Sequence, residues 1–173
     1  MSWGKLVQPD LTLGKPITHL TLELLSQYNL KGLVLDVDET LVPITATDTT
    51  PELHTWMETI KPTMSVSLVS NNLSENRIGR IGKSLDLPYF TGAIKPCGRK
   101  LKQAVEQMNL PFEQIGMVGD RLFTDVLGGN RLGMFTILVE PMVDPAEAAR
   151  KYHTRTFEVW ISQMLGASLT PHL

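Results

Sequence analysis

The stretch Gly32-Leu33-Val34-Leu35-Asp36-Val37-Asp38-Glu39-Thr40-Leu41 constrains the fold more than any other, because an apolar run ends abruptly in two acids spaced two residues apart. Such a run reads as a strand buried on both faces, and the acids stand where it leaves the core. Successive strand side chains point to opposite faces, so Asp36 and Asp38 share a side if extended geometry continues through them. Two carboxylates held together repel by roughly 4 kcal/mol at 4 Å for an effective dielectric near 20, so the pair asks for a cation.

Further short apolar runs occur at 65–70, about 89–94, 115–119 and 134–139, separated by amphipathic stretches. The alternation predicts an α/β fold: a parallel sheet with helices on both faces, in three Rossmann-like layers. Thr50-Pro51-Glu52 supplies an N-cap, a first-turn proline and an early acid ahead of the stripe Leu53, Trp56 and Ile60. Ser74 opens a helix with Ile78, Ile81 and Leu85 inward and Arg77, Arg80 and Lys83 outward. A third helix carries Leu101, Val105 and Met108, and a fourth covers 122–131. Thr21 caps a short helix through Tyr28, whereas the glycines and prolines of residues 1–16 predict poor order there. Pro141 and Pro145 break the pattern after the last run, and Phe157, Trp160, Ile161, Met164 and Leu165 draw an amphipathic helix within 150–167.

With 173 residues, 42% of them hydrophobic, the chain suits one domain spanning 1–173. A net charge of −2 with scattered basic residues argues against a dedicated nucleic-acid binder. No window reaches the 18 or so apolar residues that span a bilayer, and the first residues lack a leader pattern. A cytoplasmic protein is expected, free or lying peripherally on a membrane. Cys97 is the sole cysteine, which excludes an internal disulfide, and with no histidine nearby it reads as a spectator thiol. His19, His54, His153 and His172 show no metal-ligand spacing. The residues leave the oligomeric state open.

Polar residues follow four of the runs: Asp36 and Asp38, then Ser70-Asn71-Asn72, then Lys95, then Asp120 with Asp125 five positions on. In an open parallel sheet these ends share one edge, where ligands bind. The acids suit Mg²⁺, while the hydroxyl, the ammonium and nearby amides suit a phosphoryl group, with a carboxylate as nucleophile.

These four motifs, in this order, resemble the haloacid dehalogenase (HAD) superfamily of hydrolases. The resemblance implies Asp36 as nucleophile and Asp38 as general acid/base, from the pattern Asp36-Val37-Asp38-Glu39-Thr40 with Thr40 in support. It implies Ser70 and Lys95 on the phosphate, Asp120 on the metal and Asp125 behind that metal or its water. Asp36, the Asp38 carbonyl, Asp120 and a phosphate oxygen would surround Mg²⁺. An acid at position 38 favours phosphate-ester hydrolysis, because an alkoxide leaving group needs a proton. Only 31 residues separate Asp38 from Ser70, and 24 separate Ser70 from Lys95, which leaves no room for a cap domain. An uncovered site admits a phosphate on something large.

Leu33-Val34-Leu35-Asp36-Val37-Asp38-Glu39-Thr40-Leu41-Val42-Pro43, Val69-Ser70-Asn71-Asn72 and Lys95-Pro96-Cys97-Gly98-Arg99 look like the YqeG-type phosphatase family within that superfamily, as does the stretch from Gly119-Asp120 to Asn130-Arg131. That family includes phosphatidylglycerophosphate phosphatases, so the resemblance implies a phospholipid phosphomonoester as substrate. Arg121 departs from the glutamine common in related sequences. The residues themselves support only a phosphomonoester, which leaves a nucleic-acid 3′-phosphate, a phosphoprotein or a sugar phosphate as alternatives. A phosphoryl-accepting signalling domain or a silent scaffold would form a different class.

Blander roles stand beside these. Ser70 and Asp125 suit capping, and Asn71 suits either a backbone-amide contact to phosphate or helix initiation. Arg99, Arg121 and Arg131 suit either a head group, which arginine grips in a planar fork, or plain solvation. Arg150, Lys151 and Arg155 ahead of the 157–165 stripe suit a weak attraction to anionic lipid.

Overall fold

The computed structural model describes residues 3–143 and the isolated positions 156, 159, 161, 163, 164 and 166. The proposed amphipathic helix within 150–167 therefore lies outside the described residues, apart from those single positions.

Six parallel strands form the sheet: β1 (Leu11–Thr12), β2 (Gly32–Leu35), β3 (Ser65–Val69), β4 (Tyr89–Phe90), β5 (Ile115–Gly119) and β6 (Phe135–Leu138), in the order β1-β6-β5-β2-β3-β4. The helices are α1 (Trp3–Leu6), α2 (Leu22–Gln27), α3 (Pro51–Ile60), α4 (Glu75–Leu85), α5 (Arg99–Gln107) and α6 (Leu127–Leu132). Thr21, Thr50 and Ser74 cap α2, α3 and α4, each side chain accepting from a backbone amide three residues on.

Strand alternation builds two cores. Leu33, Leu35, Val66 and Leu68 face the cluster holding Leu25, Leu53, Trp56, Ile78 and Ile81, from α2, α3 and α4. Val34, Val69, Ile115 and Met117 face the other side, with Leu101, Ala104 and Val105 of α5. Both faces of each central strand are thus buried, which is why these runs are continuously apolar. The connections from Asp38 to Ser70 and from Ser70 to Lys95 hold α3 and α4, and no cap domain occurs among the described residues.

The expectation of poor order in residues 1–16 is corrected over 3–16. Leu11 and Thr12 pair in parallel with Ile137 and Leu138, and Val7, Leu11 and Leu13 are buried. Asp10 Oδ2 accepts from the Thr136 amide and hydroxyl, and Asn130 Nδ2 donates to the carbonyls of Leu6 and Gln8. Long-range polar contacts hold a segment whose glycine and proline content suggested a loose tail.

Candidate active site

Chain-distant acids meet because β2 and β5 are neighbours in strict register, Leu35 opposite Val118. Asp36 follows directly and donates its amide to the Val118 carbonyl at 2.9 Å, while Asp120 follows Gly119 at the end of β5. The sheet order reverses between these strands, with the β3–β4 side on one flank and β6 on the other. Such a switch point leaves a crevice beyond the strand ends.

Asp36, Asp120 and Asp125 gather there, all buried, each offering an oxygen within 4.8 Å of the others'. Lys95 Nζ lies 2.6 Å from Asp36 Oδ1, 2.7 Å from Asp125 Oδ1 and 3.0 Å from the Val69 carbonyl, to which it donates. Among the described residues this buried Asp125 Oδ1 enters the ion pair and no further hydrogen bond. The Thr40 hydroxyl has one proton for two long contacts, 3.3 Å to Asp120 Oδ1 and 3.5 Å to Asp36 Oδ2.

Three carboxylates, two of them paired with the one ammonium, carry a formal surplus of two negative charges. Burial pushes the Asp36 carboxyl up to about 7, although Lys95 pulls it down; Asp125 adds to the rise. Burial, then the charges of Asp125 and Asp36, likewise lifts Asp120 well above the usual carboxylate range. Burial works to lower Lys95, yet Asp125 and Asp36 outweigh it and hold the ammonium above the ordinary lysine value. Hard oxygens, surplus charge and an unpartnered lone pair fit a divalent cation such as Mg²⁺. Asp36, Asp120 and Asp125 are the side chains that would hold it, and a bound cation would neutralise charge developing on a phosphoryl group.

Two glycine and asparagine positions make this arrangement possible. A Cβ on Gly119 would lie 2.2 Å from Asp125 Oδ2, so only glycine lets Asp125 fold back. Asp125 Oδ2 also accepts from the Arg121 amide at 3.2 Å, tying together the π-helical turn Leu122–Val126 that leads into α6. Asn71 clamps the Lys95 peptide from both sides, accepting from its amide at 2.7 Å and donating to its carbonyl at 3.3 Å. Its side chain is thus spent on holding Lys95. Beside that clamp, Ile94 takes a φ of 51°, an unfavourable setting for a β-branched residue.

Asp38 is set apart from the acidic cluster. Its side chain is not among the three that offer oxygens within 4.8 Å of one another, and it has partners of its own. Ser70 Oγ donates to Asp38 Oδ2 at 2.9 Å and accepts from the Asn72 amide at 3.0 Å. Arg77 Nη1 donates to Asp38 Oδ1 at 2.5 Å. This corrects the outward placement of Arg77: its side chain is 11% exposed, because a guanidinium on the first turn of α4 is long enough to reach back over the strand ends.

Of the three arginines, Arg99 opens α5 four residues after Lys95, and Arg121 follows Asp120; both are exposed beside the site. Arg131 lies in the last turn of α6, four residues before β6 begins, and among the described residues it forms no ion pair with the clustered acids. Sequence reading missed Arg77 and the Asn71 clamp, and neither has a local signature.

A HAD-hydrolase-like family model matches residues 94–161. The chain is 43% identical over 129 residues to the probable phosphatase YqeG of Bacillus subtilis, the match covering 74% of each chain. It is 28% identical over 165 residues to phosphatidylglycerophosphate phosphatase 1, chloroplastic, of Chlamydomonas reinhardtii, covering 90% of this chain and 61% of that one. In fold it is similar to the cobalt-bound deoxy-D-mannose-octulosonate 8-phosphate phosphatase YrbI of Haemophilus influenzae, with a TM-score of 0.50 at 15% identity, over 80% of this chain and 88% of that one. The arrangement of acids and lysine at the strand ends and the extent of the Bacillus match agree: the chain belongs to the YqeG-type phosphatases of the HAD superfamily.

Proposed function

We propose that the protein hydrolyses a phosphomonoester with the help of Mg²⁺, through a phosphoryl group carried on Asp36, and that its substrate is phosphatidylglycerophosphate. The observation that carries the chemistry is the convergence of Asp36, Asp120 and Asp125 in one buried cluster, with Lys95 paired to Asp36 and Asp125. Asp36 attacks phosphorus in line as the ester P–O bond breaks, and Asp38 gives its proton to the departing oxygen. Asp38 then takes a proton from water, whose oxygen displaces Asp36 and releases phosphate. Lys95 holds Asp36 by one oxygen and adds positive charge where the phosphoryl oxygens gather. The one Ser70 proton is held by Asp38 Oδ2 while Asp38 is ionised and turns to the phosphate when Asp38 carries the proton.

Support for the lipid comes from the resemblance to the algal enzyme and from the edge itself. Ile44, Leu73 and Ile94 are 45%, 83% and 68% exposed on the loops after β2, β3 and β4. Apolar side chains around an uncovered site suit a phosphate borne on an acyl chain. Among the described residues no helix is long and apolar enough to cross a membrane, so peripheral contact from the cytoplasmic side is the form of membrane access proposed.

The test is turnover of phosphatidylglycerophosphate in mixed micelles beside a panel of soluble sugar, nucleotide and peptide phosphates, with Asp36→Asn as control. Preference for the lipid is expected. Turnover of soluble compounds alone would remove the lipid, and Asp36→Asn turning over like wild type would remove the nucleophile.

A further inference from the structure

We infer that Arg77 is the positioning residue for Asp38, restricting its exchangeable proton to one oxygen; this rests on Asp38 serving as the acid/base. Three donors of the Arg77 guanidinium meet three acceptors. Nη1 binds Asp38 Oδ1 at 2.5 Å, Nη2 binds the Pro43 carbonyl at 3.1 Å and Nε binds the Ala46 carbonyl at 2.7 Å. One side chain from α4 thereby fixes both Asp38 and the loop that leaves it. The contact is sheltered, with Arg77 and Asp38 side chains 11% and 18% exposed.

The two oxygens of Asp38 are chemically unequal. A guanidinium donates and never accepts, so a proton on Oδ1 would face an N–H and be expelled. A hydroxyl does both, so Ser70, 2.9 Å from Oδ2, tolerates either protonation state. The proton that moves in catalysis therefore sits on Oδ2. In the first step the Oδ2–H bond breaks, and the proton goes to the leaving oxygen as its bond to phosphorus breaks. In the second, Oδ2 receives a proton from water as water bonds to phosphorus and the Asp36–phosphorus bond breaks. A rotating carboxylate would present the wrong oxygen for much of its time, and Arg77 prevents the rotation.

The test separates the first step by leaving group, in the full chain with Mg²⁺. A p-nitrophenolate departs without a proton, whereas an alkoxide needs one. The burst of p-nitrophenolate is compared with single-turnover cleavage of phosphatidylglycerophosphate or, should the lipid not react, of the fastest soluble alkyl phosphate. Arg77→Met is expected to slow alkyl cleavage about 10- to 100-fold, part of the 10²–10⁴ that general acid catalysis supplies, while the aryl burst changes by less than about 3-fold. Arg77→Lys keeps the charge and loses the fork, so it falls between. If Arg77→Met does not fold, Arg77→Lys carries the same comparison. Equal losses on both substrates, or no loss on either, would overturn the inference. Asp38→Asn is the control: if it slows both esters alike, Asp38 is not the acid and the inference falls with that assignment, whereas a split for Asp38→Asn without one for Arg77 overturns Arg77 alone.

Discussion

Lys95 Nζ stands 2.6 Å from Asp36 Oδ1 and is almost wholly buried, so one ammonium neutralises part of a cluster that no solvent screens. Removing one partner of a buried pair leaves the other uncompensated, at a cost of about 3–5 kcal/mol. Lys95→Met is expected to destabilise the protein by that order in urea denaturation and to abolish turnover. A variant with wild-type stability would show that Asp36 and Asp125 find other compensation.

The same cluster sets the pH dependence of the metal-free protein. Asp36, at about 7, and Asp120, raised well above its usual range, both lie higher folded than unfolded. The stability tied to their protons is complete below about pH 4 and is lost as pH climbs through the folded values, by up to about 1.4 kcal/mol per pH unit for each titrating group. Lys95 is also raised, so its contribution is constant through this window and declines only at alkaline pH. In chelator, the Tm is expected to fall between about pH 5 and pH 8, and Mg²⁺ should raise it more at the higher pH. A Mg²⁺ effect equal at both would speak against these acids as ligands.

Gly119→Ala tests the geometry without changing a charge. The new methyl would sit 2.2 Å from Asp125 Oδ2, and the backbone of β5 is held on both sides by β2 and β6, so Asp125 has to move. Overpacking of this kind costs about 1–3 kcal/mol. Mg²⁺ dependence should shift to at least about 10-fold higher concentration, in the range seen when a metal's supporting contacts are lost. Unchanged Mg²⁺ dependence would place Asp125 outside the metal site.

What the sequence made legible was periodic or local. Continuous apolar runs marked the central strands because both faces are covered, and Thr50-Pro51-Glu52 marked α3 because its cap lies within three residues. The strand-end motifs likewise located Asp36, Ser70, Lys95 and Asp120, since a parallel sheet delivers such ends to one edge. What failed depended on reach across the fold. Arg77 is polar beside an apolar stripe, so helical periodicity turns it to solvent, yet its acceptors are Asp38, Pro43 and Ala46, more than 30 positions away. Residues 3–16 read as a tail for the same reason: their partners, Asn130, Thr136 and Leu138, lie more than 120 positions on. The run at 89–94 gives only a two-residue strand, because past Phe90 the chain turns to place Ile94 and Lys95 at the site.

Asn130 lets that last point be tested away from the chemistry. Its Nδ2 donates at 2.8 and 2.9 Å to the carbonyls of Leu6 and Gln8, and its Oδ1 accepts from the Thr136 hydroxyl at 3.1 Å. One amide thus joins α1, β6 and the segment leading into β1. Asn130→Ala strands those half-buried carbonyls, at a cost below the ~1–3 kcal/mol of a fully buried group left unsatisfied. Because Thr136 still bonds Asp10, the segment should loosen without detaching, with faster amide hydrogen exchange at Leu11 and Leu13. Site geometry is set by β2, β3 and β5, so kcat at saturating Mg²⁺ should stay within about 2-fold of wild type, as for a substitution remote from the reacting groups. A large loss of turnover with unchanged exchange at Leu11 would reverse this assignment and make position 130 part of the catalytic support.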